Sequence, residues 1–288
     1  MKVFLIKLLK QIAIILTIYI GTILLWFFIV KVFDINPYKL VKNKKIFILG
    51  NSHPQFGIAD TLNIVNNAMA GETLFYEAIK ARKILENNPD ATICIDIDPE
   101  NLKAAFINLA DYRLPQSYRN YLYFMNSDEQ KFIVYHNPLK AMRVFFSPNF
   151  IAPFRKVGSS YISEKFLDIN HPQVEEAPKF SYKRVWEPEV EIQNFLAIEN
   201  LIKDHPHNRF IITHLPKSKY WHFDFNDNYK HCMMLLEQLP NTVILDYTRV
   251  IFPDDHYADP EHLNYIGKYD MTNLLVNDLK KRNLITTN

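Results

Sequence analysis

Charge is missing from one long stretch of this 288-residue chain: from Gln11 to Val30 there is no Asp, Glu, Lys or Arg. A run of about 20 apolar residues is enough to cross a bilayer core as a helix. Its uniform apolarity all round argues against the one-sided core helix of a soluble protein. A cleaved signal peptide has a shorter apolar core and a small-x-small site, and Lys-Val-Phe-Asp-Ile-Asn after Val30 offers none. Cysteine is nearly absent. Cys94 in a strand-like run and Cys232 in a helix-like one do not decide the redox compartment. Six glycines against sixteen prolines do not suggest low complexity, and no internal repeat points to a solenoid. With a net charge of only +2, nothing in the balance indicates a nucleic-acid partner.

What is present is 48% hydrophobic, enough for one large domain with its own core besides the apolar N-terminus. The chain turns on Ile46-Phe47-Ile48-Leu49-Gly50-Asn51-Ser52-His53-Pro54. Four apolar residues stopped by a glycine read as a buried parallel strand. Gly50 allows a sharp turn, and Pro54 suits the first turn of a helix. Ser52 is thereby expected at a strand-to-helix turn on the C-terminal edge of a sheet, where open α/β sheets hold their ligands.

A second stretch lies near the other end, Tyr257-Ala258-Asp259-Pro260-Glu261-His262-Leu263-Asn264-Tyr265-Ile266-Gly267. A serine nucleophile needs a base, and the base needs a group that sets its tautomer. Asp259 and His262, three residues apart, offer both from one loop. The two stretches together resemble the SGNH (GDSL-like) hydrolase superfamily, in its Gly-x-Ser opening motif and its Asp-x-x-His closing motif. The extended form Asp-Pro-Glu-His-Leu-Asn-Tyr-Ile-Gly looks like the branch containing membrane-bound proteins of bacterial glycan acylation.

The resemblance implies a flavodoxin-like three-layer sandwich with a mostly parallel five-stranded sheet, covering nearly everything after about Lys44. It implies Ser52 as nucleophile, His262 as base and Asp259 as its orienting carboxylate. The backbone N–H groups of Ser52 and Gly71 would form the oxyanion hole. The sequence departs from the family at two places. Asn51 replaces the Asp of Gly-Asp-Ser, and strand three ends Asp96-Ile97-Asp98-Pro99-Glu100-Asn101 in place of Gly-x-Asn-Asp. Asn101 is a substitute for the missing amide or, more simply, a helix cap. Asn51, His53, Asn101 and His214 are the candidate pocket residues, with His214 also readable as a satisfied histidine at a strand end.

The remaining elements follow from periodicity. Strands are expected at 62–71, 91–97, 209–216 and 242–246, with helices over 72–88, 187–204, 229–239 and 264–279. Asp96 and Asp98 suggest a metal, but with no third clustered ligand they are assigned to a turn. No metal and no cofactor is called for.

Residues 1–35 form the expected membrane anchor, and 40–288 the α/β domain with a largely helical insertion at about 102–182. Arg113, Arg119, Arg143 and Arg155 in that insertion face solvent or a charged substrate. Lys31, Lys39, Lys42, Lys44 and Lys45 after the apolar run outnumber Lys2, Lys7 and Lys10 before it. A positive-inside count therefore favours a cytoplasmic domain. The resemblance favours an extracytoplasmic one, and that is the expectation adopted.

The function expected is a membrane-anchored serine esterase or O-acyltransferase on acyl, foremost acetyl, esters of cell-surface glycan. The alternative is a non-catalytic glycan-binding or assembly protein on the same fold. N-terminal sequencing of the mature protein checks the anchor. It is expected to begin before Gln11, and a start beyond Val30 would make the segment a signal peptide.

Overall fold

The structure, a computed structural model, describes residues 2–33, 46–103, 121–136, 138, 188–221, 225 and 227–285. Helix α1 covers Lys2–Val32. At 1.5 Å per residue it is about 46 Å long, more than the roughly 30 Å of a bilayer's hydrocarbon core. Its stretch Val3–Ile29 is long and apolar enough to cross a membrane. Phe4, Ile15, Ile18 and Leu24 on it are all exposed.

Among the described residues, five parallel strands form one sheet in the order β2-β1-β3-β4-β5. They are β1 Ile46–Leu49, β2 Ile64–Asn66, β3 Thr92–Asp96, β4 Phe210–His214 and β5 Thr242–Asp246. This is the flavodoxin-like order, with its switch point between β1 and β3. The helices are α2 Ser52–Gly57, α3 Leu74–Asn87, α4 Pro99–Lys103, α5 Ser127–His136, α6 Pro188–Asp204, α7 Asp227–Glu237 and α8 Tyr265–Lys281.

Alternate strand residues face opposite sides of the sheet. Phe47, Leu49, Ile93, Ile95, Phe210 and Ile212 pack with Leu74 and Ile84 of α3, Ile198 of α6 and Leu236 of α7. Ile46, Ile48, Cys94 and Ile211 pack on the other side with Met271, Leu275 and Leu279 of α8. The sheet is therefore the middle of three layers. Burying each such aliphatic side chain stabilises the fold by roughly 1.5–3 kcal/mol.

The strand expected over 62–71 is corrected to three residues. Past Ile64–Asn66, the Asn66 side chain accepts from Ala68 N–H at 3.0 Å. Such a local bond competes with the ladder, and only Asn67 and Met69 still donate to β1 and Gly50, at 2.8 and 2.9 Å. The same Asn66 side chain donates to the carbonyls of Pro54 and Ile58, so it also holds α2 down. Of the expected insertion at about 102–182, the described residues are 102–103, 121–136 and 138. The rest, with Arg113, Arg119, Arg143 and Arg155, lies outside them, as do Lys39, Lys42, Lys44 and Lys45.

Two glycines are required by geometry. Gly50 has φ +143°, and a Cβ there would lie 2.3 Å from Pro54 Cγ and 3.1 Å from Asp96 Cβ. Gly267, in the first turn of α8, lets the 3₁₀ turn Asp254–His256 approach: a Cβ would lie 2.3 Å from the His256 carbonyl oxygen and 2.9 Å from Leu263 Cδ2. Gly267→Ala is expected to lower unfolding free energy by about 1–3 kcal/mol, the usual cost of forcing extra atoms into a packed site. Urea unfolding measures this, and an unchanged midpoint would show that the turn yields freely.

Candidate active site

The site begins at the C-terminal end of β1. Asn51 caps α2, its side-chain oxygen accepting from His53 N–H at 2.9 Å. Ser52 is the first residue of that helix and is part-exposed. The cap is what the Asn replacing the usual Asp supplies: an acceptor oxygen without a charge.

The partner loop is held at both ends. Tyr257 and Leu263 form an antiparallel bridge. Asn264 caps α8 by accepting from Ile266 and Gly267 N–H, and its amide donates to the Asp255 carbonyl at 2.6 Å. Across to the loop after β4, Ser218 N–H donates to the Pro260 carbonyl at 3.0 Å, and the Tyr257 hydroxyl to the Lys217 carbonyl at 3.1 Å. On α8, the Thr272 hydroxyl oxygen accepts from Ala59 N–H at 2.8 Å, which ties this layer to the end of α2.

These restraints bring Ser52, His262 and Asp259 together. Ser52 Oγ lies 2.8 Å from His262 Nε2, across 210 residues of chain. His262 Nδ1 lies 2.9 and 2.8 Å from the two Asp259 oxygens. With Nδ1–H given to the carboxylate, Nε2 is left to accept the serine proton. Phe56 meets the His262 ring edge-on at 5.2 Å.

Burial alone would push Asp259 up. The hydrogen bond and charge of His262, and the Glu261 and His262 amides, outweigh it and hold the carboxyl below its ordinary range. Asp259 therefore stays ionised into acid, ready to balance a protonated His262.

The other expected residues divide. Gly71 stands in an exposed turn with φ +76°, its Cβ side open. The turn is tied to α2 by the Ala70 N–H, which donates to Gln55 Oε1 at 2.6 Å. Among the described residues, neither the Ser52 nor the Gly71 amide donates a hydrogen bond.

Asn101 is not the cap itself. Asp98 caps α4, and Asn101 answers it: Asn101 N–H donates to Asp98 Oδ1 at 2.7 Å while Asp98 N–H donates to Asn101 Oδ1 at 2.9 Å. The Asn101 amide is also spent on the Asp96 carbonyl at 2.7 Å. His214 is satisfied in the strand end, its Nδ1 2.5 Å from the Ile97 carbonyl and 2.7 Å from the Tyr229 hydroxyl. Burial lowers its pKa, so it is neutral.

Sequence reasoning missed a cluster behind Ser52. Asp96 and Asp98 are not plain turn residues; both are buried, Asp96 at the end of β3 and Asp98 just past it, and His53 joins them from the first turn of α2. His53 Nδ1 lies 2.9 Å from Asp98 Oδ2 and 4.0 Å from Asp96 Oδ2, a hydrogen-bonded cluster that the sequence did not show. Lys217 Nζ also stands 3.5 Å from Asp98 Oδ2, so the chain itself brings cations to these carboxylates. Only the adjacency of β1 to β3 brings these side chains together, and no local motif records it. A cavity of about 490 Å³ lies elsewhere, lined by Phe75, Arg82, Glu129, Phe132, Leu196 and His205. None of Ser52, His262 or Asp259 borders it.

No protein-family model matches the chain, and no curated protein matches it. Among solved structures it is similar to one described as a "putative acylhydrolase" from Bacteroides fragilis, with 14% identity over 85% of this chain and 90% of that one and a TM-score of 0.38. It is also similar to a GDSL-like lipase from Bacteroides thetaiotaomicron, with 12% identity over 85% and 91% and a TM-score of 0.36. The second description carries the family name that the two motifs resemble. At these TM-scores the likenesses carry no argument, and a functional reading rests on the chain's own side-chain geometry.

Proposed function

We propose that this chain is a membrane-anchored serine acyl-transfer enzyme of the SGNH type. Ser52 is the nucleophile, His262 the base and Asp259 the group that orients it. The observation that carries the reading is the continuous chain of contacts Ser52 Oγ–His262 Nε2 at 2.8 Å and His262 Nδ1–Asp259 Oδ2 at 2.8 Å. A serine hydroxyl is inert near neutral pH without such a base.

In this mechanism Ser52 Oγ attacks an ester carbonyl and its proton passes to His262 Nε2. The tetrahedral oxyanion is met by the Ser52 and Gly71 amides, each such donor contributing roughly 3 kcal/mol. His262 returns the proton to the departing alkoxide, leaving an acyl-serine. An acceptor hydroxyl, from water or a sugar, then gives its proton to His262 and takes the acyl group, and Ser52 is restored.

Water as acceptor makes the enzyme an esterase, and a sugar hydroxyl makes it an O-acyltransferase. The apolar helix α1 holds the site at a membrane, and the reading extends to acyl, foremost acetyl, esters of cell-surface glycan on the extracytoplasmic side. That extension rests on the motif resemblance.

Labelling with a fluorophosphonate tests the core of the reading. Ser52→Ala is expected to abolish it. His262→Ala and Asp259→Asn are each expected to lower the labelling rate on the order of 10⁴-fold, the latter by favouring the wrong tautomer. Thermal unfolding is expected to change little for His262→Ala, since the residue sits in a loop outside the sheet core. Equal labelling of His262→Ala and wild type, with matched melting, would remove His262 as the base.

A further inference from the structure

Acyl transfer by Ser52, His262 and Asp259 leaves five ionisable side chains beside them unexplained. His53 follows the nucleophile and is 7% exposed. Its Nδ1 lies 2.9 Å from Asp98 Oδ2 at the end of β3, and its Nε2 lies 3.4 Å from Glu261 Oε2. Lys217, after β4, approaches the same two oxygens at 3.5 and 3.9 Å. Asp96 Oδ2 stands 4.0 Å from His53 Nδ1. The His53 and His262 rings are 5.3 Å apart.

Glu261 is the residue just before His262, in the same loop. His53 thus spans from the base-bearing loop on one side to the sheet edge on the other, while its own backbone carries the nucleophile. A neutral imidazole has one N–H and can donate to only one carboxylate. Donating to both Asp98 and Glu261 requires the imidazolium.

We propose that His53 is a positioning residue for the acyl-transfer reaction, its imidazolium bridging Asp98 and Glu261 and so holding His262 against Ser52. This rests on the reading of Ser52 and His262 as nucleophile and base. Burial and the Lys217 charge push the His53 pKa down, but the hydrogen bonds to Asp98 and Glu261 and the Asp98 charge outweigh them and raise it to about 9.

The surrounding groups agree in sign. Glu261 and Asp98 are both held below the ordinary carboxyl range, against the burial that would raise them, by His53 and Lys217. Burial and the Asp98 charge push Asp96 up. Buried Glu77 of α3 is pushed well up, by burial and then by the Glu72 charge. A raised histidine pKa stabilises the native state fully below the ordinary value near 6.5. That contribution fades as pH rises through about 9.

The test uses the full chain in detergent micelles, with isotope-labelled histidine rings titrated by NMR and fluorophosphonate labelling followed against pH. One ring is expected to titrate near 9, to be absent in His53→Gln and to move down in Glu261→Gln. The wild-type labelling rate is expected to fall above about pH 9. Misplacing a catalytic group by about 1 Å costs roughly 10²-fold. His53→Gln is accordingly expected to label about 10- to 100-fold more slowly at pH 7.5, through the maximal rate and not probe affinity, with the alkaline fall gone.

Glu261→Gln keeps the test open should His53→Gln fold poorly, since Glu261 is 30% exposed. Its alkaline fall is expected to begin at lower pH. No ring titrating above 8, or wild-type labelling in either folded variant at every pH, would overturn the bridge. A wild type that never labels, yet shows the ring near 9 and its shift in Glu261→Gln, would instead overturn the acyl-transfer reading and with it any role for His53 in positioning.

Discussion

The turn at Gly50 is the constraint on which the rest of the site depends. β1 must stop, reverse and start a helix within three residues, pressed against β3. A backbone at φ +143° with Pro54 Cγ 2.3 Å from where a Cβ would be admits only glycine. The result is a serine at the first position of α2, at the switch point of the sheet, facing the edge where loops from β3, β4 and the end of the chain converge. Displacing that turn would move Ser52, His53 and the Asn51 cap together, because all three share it.

The same edge concentrates charge. His53, Asp96, Asp98 and Lys217 are each at most 7% exposed. Unpaired, each such charge would cost several kcal/mol to bury. The cost is offset only because opposite signs arrive from three separate segments, two cations against a set of carboxylates. A second such group lies nearby. Fully buried Lys80 of α3 pairs with Glu72, which also takes the Tyr121 hydroxyl, and donates to the Asn67 carbonyl at 2.8 Å. The loops at this end of the sheet thus carry buried ionic contacts beside apolar side chains such as Leu215, Tyr257 and Leu263, which join the core.

Much of the fold was legible. Five strands and the helices between them follow from short apolar runs and amphipathic periodicity, because those patterns are local and repeat at the spacing of the element. β1 and β5 fall at the expected residues, Ile46–Leu49 and Thr242–Asp246. β2 was read too long because Asn66 diverts the backbone with a side-chain bond that no periodicity shows. Asn101 was read as a cap, and it proves to be the reciprocal partner of Asp98, a difference set by which of the two has helical backbone.

Within the candidate site, the sequence by itself determined what lies within a few residues. Asp259 and His262 stand three apart in one loop, so their 2.8 Å contact is short-range geometry. Gly50 before Ser52 marks the turn for the same reason. Whether that serine meets that histidine, 210 residues away, was decided by tertiary structure, through the bridge at Tyr257, the Asn264 cap and the close approach at Gly267. His53 shows the division most clearly. As a sequence symbol it is a polar residue after a serine. Its partners Asp98 and Glu261 lie 45 and 208 positions away. They reach it only because β1 pairs beside β3 and the closing loop folds back over both, and contacts set by strand adjacency leave no periodic trace in the chain.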